Sequence, residues 1–210
     1  MDAKRKVEAG YDHIAERYLE DRKPDDPRHL TELEDLGRSL PEHGTALDLG
    51  CGAGVPVSRW LTRRYEVTGV DLSARQVELA RQNVPGATFI KADMTELDFP
   101  AASFDVVVAF YSIIHVPRTE QPALVRRIHG WLRPGGAFFA TWATTEWQGE
   151  EEDWEGRGAA MWWSNYGAEE NLEMLRGADF LIESAETISS GDETWLWVLA
   201  RKHPSDDGRT

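Results

Sequence analysis

Residues 47–54 of the chain read LDLGCGAG, a short apolar run that passes directly into three closely spaced glycines. Residues 46–49 predict a buried strand, and the apolar spacing within residues 55–64 predicts a helix. A glycine turn between a strand and a helix lets the backbone approach a ligand without an intervening Cβ. In an open α/β sheet such a turn lies at the carboxyl edge of the strands, where ligands bind. The stretch therefore predicts a ligand-binding loop, with a tight connection that binds nothing as the alternative interpretation.

Outward from this loop, strand-like and helix-like segments alternate. Ser73 predicts the cap of a second crossover helix, Pro134-Gly135-Gly136 predicts the end of a later helix, and residues 189–192 predict a hairpin turn. Further strands are predicted at residues 66–70, 88–90, 104–110, 137–143, 182–188 and 194–200, and further helices at residues 7–20, 30–40, 124–132 and 168–176. This order predicts an α/β fold, a doubly wound, mostly parallel seven-stranded sheet with an antiparallel last strand.

The pattern shows no internal repeat and no linker, so residues 1–203 are expected to form a single domain. Within it, residues 1–43 form an N-terminal helical cap, and residues 144–167 form an irregular insertion on the substrate side. Residues 204–210 are expected to be a flexible polar tail.

Composition excludes several classes of protein. The chain has 37 acidic against 23 basic side chains and a formal net charge of −14, which argues against a nucleic-acid partner because phosphates would be repelled. The single cysteine, Cys51, excludes an internal disulfide and favours a reducing, cytoplasmic location. No signal peptide or membrane-length apolar run is visible, so no membrane partner is expected.

A carboxylate at a defined spacing from the glycines narrows the class of ligand that the loop is expected to bind. Asp71 follows the second predicted strand, 71 − 50 = 21 residues after Gly50, where an acidic side chain can accept both ribose hydroxyls. A dinucleotide loop requires Gly-x-Gly-x-x-Gly, but Val55 stands at the position of the last glycine. Asp48, just before the loop, would repel a pyrophosphate and suits an ammonium or another cation. A nucleoside site is therefore expected, and a nicotinamide-dependent oxidoreductase is the disfavoured alternative.

The loop resembles the first motif of class I S-adenosylmethionine-dependent methyltransferases, which is hydrophobic–Asp/Glu–hydrophobic–Gly-Cys/Ser-Gly-x-Gly. Residues 67–73 (VTGVDLS) and 91–94 (KADM) resemble the next two motifs of the family. Residues 104–110 (FDVVVAF) resemble the fourth motif, and residues 132–136 (LRPGG) resemble the turn before its fifth strand. The resemblance covers most of the chain and implies the Rossmann-like methyltransferase fold of the small-molecule members.

The resemblance also implies S-adenosyl-L-methionine as cofactor and S-adenosyl-L-homocysteine as product. Gly50–Gly52 would line the methionine end, Asp71 would hold the ribose, and Leu72 would pack on adenine. Asp93 would accept from the adenine amine, and Phe110 would lend its carbonyl to the amino group. The residues expected to bind the cofactor are Tyr11, Asp48, Gly50, Cys51, Gly52, Asp71, Leu72, Asp93, Met94 and Phe110. For Tyr11, an aromatic contact of the N-terminal helix is the alternative interpretation.

Two residues after the fourth strand are candidates for catalysis. His115 is placed to act as a base for an acceptor that arrives protonated, and Tyr111 is placed to orient the acceptor. A histidine that bonds the loop backbone and a tyrosine that only packs are the alternatives. No Asn-Pro-Pro-Tyr follows this strand, the only cysteine lies in the loop, and no ligand set for a metal is visible. A small-molecule methyltransferase (EC 2.1.1.-) that acts on oxygen or nitrogen, as a monomer or homodimer, is expected.

The segment after the fifth strand is expected to set specificity. Residues 142–166 hold five of the nine tryptophans beside the acidic run at residues 150–153. Aromatic faces beside carboxylates would suit a cationic amine, and a covered sheet edge with solvated acids is the alternative. A protein that binds S-adenosylmethionine for regulation, or for another reaction, is the competing hypothesis of function.

Overall fold

The computed structural model describes residues 2–21, 34, 37, 40–190 and 193–204. The helices are α1 (Ala3–Asp21), α2 (Val57–Leu61), α3 (Ala74–Asn83), α4 (Gln121–Trp131) and α5 (Ala168–Arg176), with single 3-10 turns at Ile113–His115 and Trp154–Gly156. The strands are β1 (Gly44–Leu49), β2 (Tyr65–Asp71), β3 (Thr88–Lys91), β4 (Phe104–Ala109), β5 (Leu132–Ala143), β6 (Trp147–Glu151), β7 (Met161–Asn165), β8 (Phe180–Ser190) and β9 (Glu193–Lys202).

Seven strands form one sheet in the order β3-β2-β1-β4-β5-β9-β8. The pairs β1/β2, β2/β3 and β4/β5 are parallel, whereas β9 runs antiparallel to both β5 and β8. Among the described residues no helix is long and apolar enough to cross a membrane. The predicted α/β fold, a mostly parallel seven-stranded sheet with an antiparallel last strand, is confirmed.

Met1–Met94 and Glu150–Trp162 form one compact unit, which holds β1, β2 and β3. Its glycine loop packs on α3 through a buried cluster of Cys51, Val77, Ala80, Val84 and Phe89. The N-terminal helix α1 begins at Ala3, earlier than the periodicity predicts, and its Val7, Gly10, Ile14 and Ala15 are buried. Close approach explains the glycine, because a Cβ on Gly10 would lie 2.7 Å from the carbonyl oxygen of Ala160.

Thr95–Gly149 and Trp163–Thr210 form the second compact unit, which holds β4, β5, β8 and β9. Strand β4 is buried over Val106–Ala109, as expected for a strand covered on both faces. On one face of this half of the sheet Phe138 packs against Trp142 and Phe180, and His129 of α4 lies edge-on to Phe180.

The prediction that Pro134-Gly135-Gly136 lies before the fifth strand was wrong. Strand β5 begins at Leu132, directly after α4, and the three residues lie inside it. There the register with β4 shifts, from Phe104 opposite Leu132 to Val106 opposite Ala137, and Gly135 has φ +77°. Turn-forming residues also produce strand bulges, which explains the misplaced boundary.

The segment predicted to be irregular instead contains β6 and β7, which form a two-stranded sheet. Helix α2 is shorter than predicted, with five residues, and the strands β8 and β9 each extend beyond their predicted bounds. The helix predicted over residues 30–40 lies outside the described residues except for positions 34, 37 and 40. Residues 191–192 of the predicted hairpin turn and 205–210 of the predicted tail also lie outside them.

Replacing Gly10 by alanine tests the close packing of α1. Alanine normally favours a helix by about 1 kcal/mol over glycine, but here its Cβ would overlap the Ala160 carbonyl. We expect Gly10→Ala to lower the free energy of unfolding in urea by about 1–3 kcal/mol. Gly130→Ala in α4 is the matched control, because no atom of the described residues lies within 4 Å of the position of its Cβ. Equal stabilisation by both changes would contradict the packing argument.

Candidate functional site

The glycine loop is fixed to the end of β2 by backbone hydrogen bonds. The amides of Gly50 and Cys51 both donate to the carbonyl oxygen of Val70, at 2.7 and 3.0 Å. Gly50, Gly52 and Gly54 have φ of +75°, +52° and +77°, which disfavour any residue with a Cβ. A Cβ on Gly54 would also lie 3.1 Å from Val84, so this glycine is needed for packing on α3.

Asp71 lies beside this loop, held at both carboxylate oxygens. Its Oδ2 accepts from the amide of Gly52 at 2.8 Å, and its Oδ1 accepts from the amide of Ser73 at 2.9 Å. A carboxylate offers about four acceptor positions, so capacity remains beyond these two amides. The structure thus brings together the acid and the glycines that the sequence singled out, with an arrangement suited to accept hydroxyl donors.

The Asp48 carboxyl is buried in β1, with 2% of its surface exposed. Burial raises the pKa of Asp48 to about 7; the Asp71 charge adds to this increase, and a hydrogen bond from Ser58 Oγ at 2.6 Å opposes it. Burial also raises the pKa of Asp71 to about 6, opposed by the amides of Ser73 and Gly52. A buried and a half-buried carboxyl group at one edge of the sheet therefore favour a ligand that brings positive charge or hydroxyl donors.

Cys51 belongs to the hydrophobic cluster under the loop, and its side chain is buried. Burial raises the pKa of its thiol well above the usual value, and the charges of Asp71 and Asp48 add to the increase. A thiol that stays protonated is a poor nucleophile, so the side chain has a packing role.

Asp93, predicted to lie beside adenine, forms an ion pair with Lys4 of α1 at 2.8 Å. The turn that carries it is tied to β2, since the amide of Ala92 donates to the carbonyl oxygen of Asp71 at 3.0 Å. Leu72 and Met94 are half-buried in the same compact unit. The contact with Lys4 was missed by the sequence analysis, because no local pattern relates the two residues.

Tyr11 lies in an aromatic cluster. Its ring is edge-on to Tyr18 and Trp154, with centroid distances of 5.5 and 5.9 Å. The Arg157 guanidinium lies over Tyr18 and Trp154 and pairs with Asp21 at 2.5 Å. Because Trp154 belongs to the segment Glu150–Trp162, this cluster attaches that segment to α1.

The three remaining predicted residues belong to the second compact unit. The Phe110 ring packs against Phe139 and Trp197. Tyr111 has φ +53°, a conformation that is rare outside glycine, and its amide donates to Thr141 Oγ1 at 2.6 Å. The Tyr111 ring lies edge-on to Trp195 at 4.9 Å. A non-glycine residue held in this conformation is a common feature of functional sites.

His115 is buried in the 3-10 turn after β4, with its ring 5.7 Å from that of Trp163. Gln121, which the sequence analysis missed, holds this turn. Its Nε2 lies 3.2 Å from the carbonyl oxygen of Ile113, 2.8 Å from that of Val116 and 2.7 Å from that of Ser164. One buried amide thus attaches the His115 turn to β7. A polar residue at the start of an amphipathic helix was the only sequence signal.

Several acids of the predicted specificity segment are used within the chain. Glu150 pairs with Lys6, Glu151 accepts from the amide of Glu155, and Asp153 accepts from the amide of Gly158 at 2.7 Å. Trp142 is buried in β5 and so belongs to the core. Within the described residues no group of three metal-ligating side chains is present.

Replacing Asp48 by asparagine tests the buried carboxyl. Because the pKa of Asp48 is higher in the folded than in the unfolded chain, its neutral carboxyl favours the folded state below pH 4. This contribution to stability is lost as the pH rises through 7. We expect the free energy of unfolding of Asp48→Asn, relative to the natural chain, to rise by about 2–4 kcal/mol between pH 4 and 8. Urea unfolding at several pH values measures this difference. Glu66→Gln at an exposed position is the control, and pH-independent differences for Asp48→Asn would contradict the argument.

Comparisons with known proteins agree with this geometry. The family model described as a methyltransferase domain matches residues 46–136. Over 97 residues (43% of this chain and 35% of the relative) the chain is 41% identical to 27-O-demethylrifamycin SV methyltransferase of Amycolatopsis mediterranei. It is 34% identical to phosphoethanolamine N-methyltransferase 3 of Arabidopsis thaliana over 101 residues, 45% of this chain and 20% of the relative. The chain thus spans about a third or less of these two relatives.

A solved structure extends the similarity beyond the matched segment. The S-adenosylmethionine-dependent methyltransferase from Mesorhizobium loti is 27% identical, with a TM-score of 0.65, over 81% of this chain and 97% of that chain. The motif order, the sheet topology and these similarities agree. In motif order, sheet topology and sequence, the chain is therefore similar to the class I S-adenosylmethionine-dependent methyltransferases.

Proposed function

We propose that this protein transfers a methyl group from S-adenosyl-L-methionine to a small-molecule acceptor and releases S-adenosyl-L-homocysteine. The observation that carries the proposal is the Asp71 carboxylate, held by the amides of Gly52 and Ser73 beside an open glycine loop. This arrangement leaves carboxylate lone pairs for two neighbouring ribose hydroxyls. We propose also that residues 1–203 act as one cytoplasmic methyltransferase domain, as a monomer or homodimer.

The residues of the first compact unit fit this cofactor. The carboxyl groups of Asp48 and Asp71 match a ligand that carries a sulfonium and an ammonium group. A Cβ on Gly52 would meet only Gln76 Oε1, at 3.9 Å, so the loop is open there. A nicotinamide dinucleotide fits less well, because its pyrophosphate would face these two carboxyl groups. Asp71 would bind the ribose, Asp93 the adenine amine and Asp48 the cationic end.

When bound, the cofactor supplies an electrophilic methyl group. The chain must then orient an acceptor and exclude water, which is catalysis by proximity. We assign His115 as the base that removes a proton from a hydroxyl or amine acceptor, and Tyr111 as the residue that orients it. Their supporting contacts are the Gln121 bonds to the His115 turn and the Thr141 bond to Tyr111.

The acceptor is proposed to be a small molecule methylated on oxygen or nitrogen. The named relatives include one O-methyltransferase of a rifamycin and one N-methyltransferase of phosphoethanolamine. The segment 144–167 supplies Trp147 and Trp163, whose rings are 5.7 Å apart next to His115. Because Glu150 already pairs with Lys6, aromatic contact is better supported than carboxylate recognition of a cationic amine.

Calorimetric titration tests the cofactor assignment. We expect S-adenosylhomocysteine to bind the natural chain and Asp71→Ala to weaken binding by about 30-fold or more, since hydrogen bonds to a charged group are worth about 2 kcal/mol. Asp71→Asn, which keeps one acceptor oxygen, should give an intermediate loss and is the second variant if the alanine form fails to fold. Asp98→Ala is the control. Absence of heat with the natural chain, together with binding of NADH, would favour the oxidoreductase alternative.

Product analysis tests the reaction. A panel of phenols and amines is incubated with methyl-labelled S-adenosylmethionine, and we expect labelled product to form in step with S-adenosylhomocysteine. With the acceptor that is turned over, His115→Gln should lower kcat about 100-fold at neutral pH and less at high pH, where the acceptor loses its proton unaided. His203→Gln is the control. Cofactor binding without any labelled product across the panel would favour the regulatory alternative.

A further inference from the structure

Polar residues spaced four apart form a stripe along α1. The stripe faces the proposed nucleoside site of the first compact unit. Lys4 pairs with Asp93 at 2.8 Å, and Glu8 pairs with Lys91 at 2.6 Å. A helix places residues i and i+4 on one face, so one orientation of α1 satisfies these contacts together. The next member of the stripe is Asp12, and its contacts differ in kind.

Asp12 binds the first turn of α3. Its Oδ1 accepts from Ser73 Oγ at 2.6 Å and from the amide of Arg75 at 3.0 Å. Ser73 Oγ in turn accepts from the amide of Gln76 at 3.1 Å, which caps α3. A negative charge is favourable at a helix N-terminus, and Asp12 supplies one to α3 although it lies 61 residues away in sequence.

Ser73 connects Asp12 to the proposed ribose site. Its amide donates to Asp71 Oδ1 at 2.9 Å while its hydroxyl donates to Asp12 Oδ1. The same residue is thus held by α1 through its side chain and holds Asp71 through its backbone. A displacement of Asp12 would release the Ser73 hydroxyl and loosen one of the two amide contacts that orient the Asp71 carboxylate.

We propose that Asp12 is a positioning residue of the nucleoside site, which acts through Ser73 on Asp71 and couples the docking of α1 to cofactor binding. The inference rests on the proposed function, because it assigns Asp71 to the ribose. Coupling is reciprocal, so a bound nucleoside should stabilise α1 to the same extent that a docked α1 favours the nucleoside. Tyr11, the neighbour of Asp12, is brought to its aromatic contacts by the same docking.

The charge of Asp12 provides a second signature. The titratable groups that face Asp71 are Asp12 on α1, Asp48 on β1 and Cys51 in the loop, with Lys91 opposite it on β3. The negative charge of Asp12 contributes to the raised pKa of Asp71. Asp12→Asn, which removes the charge and keeps an oxygen for Ser73, should therefore move the acid limit of nucleoside binding to lower pH. Asp12→Ala also loosens the Ser73 amide contact that lowers the pKa of Asp71, so its acid limit should lie at higher pH than that of Asp12→Asn, a difference that a role of Asp12 apart from Ser73 would not produce.

Titration of S-adenosylhomocysteine into Asp12 variants tests the proposal. We expect Asp12→Ala to weaken binding about 10-fold and Asp12→Asn to weaken it less, because asparagine keeps an oxygen for Ser73 and Arg75. In Asp12→Asn, binding should persist to lower pH, relative to its own maximum, than in the natural chain or in Asp12→Ala. In the double variant with Asp12→Asn and Asp71→Asn, the Asp12 change should add little to the loss of affinity that Asp71→Asn causes alone. Ser73→Ala is the second variant if Asp12→Ala fails to fold.

The matched control is Glu20→Gln, which removes a negative charge from an exposed position of the same helix. Amide hydrogen exchange supplies the reciprocal measurement, since S-adenosylhomocysteine should protect α1 in the natural chain and protect it less in Asp12→Ala. Unchanged affinity, the same acid limit in Asp12→Asn and Asp12→Ala, or fully additive losses in the Asp12 variants would overturn the inference. If the natural chain itself binds no S-adenosylhomocysteine, the proposed function fails instead.

Discussion

The attachment of the Asp71 carboxylate to the amides of Gly52 and Ser73 is the contact on which the rest of the first unit depends. It joins the loop after β1 to the start of α3, and it fixes an acid where burial makes ionisation costly. The pKa of Asp71 is raised to about 6 and that of Asp48 to about 7 for this reason. The fold therefore keeps two carboxyl groups poorly solvated, a cost that a cationic ligand with hydroxyl donors would offset.

Features encoded in short stretches of chain could be predicted from the sequence. The strand–glycine–helix order around residues 46–64, the Ser73 cap and the helix at Ala168–Arg176 all depend on local backbone preferences and apolar spacing. Prediction from local sequence failed where the same residues are compatible with two kinds of backbone structure. Pro134-Gly135-Gly136 is compatible with a helix stop and with a strand bulge, and only the pairing of β5 with β4 decides between them.

The contacts that orient the site residues could not be predicted in this way. Lys4 pairs with Asp93, Thr141 bonds the amide of Tyr111, and Gln121 bonds the backbone of the turn that carries His115. These contacts join residues that are far apart in sequence or involve backbone atoms. No local pattern carries such information, because the sheet topology brings these residues together. The four-residue spacing of polar side chains on α1 is present in the sequence, but the same spacing is equally typical of a solvated helix face.

The two halves of the proposed reaction are encoded differently, which explains why the resemblance to methyltransferases is clear and the acceptor is not. The proposed cofactor site consists of positive-φ glycines and a carboxylate bound to amides, constraints that few other residues satisfy. The proposed acceptor side instead consists of His115, Trp163 and Trp147, which pack beside a turn held by Gln121. Aromatic side chains on such a scaffold can be exchanged without altering the sheet, so acceptor specificity can diverge while the fold and the cofactor motifs persist.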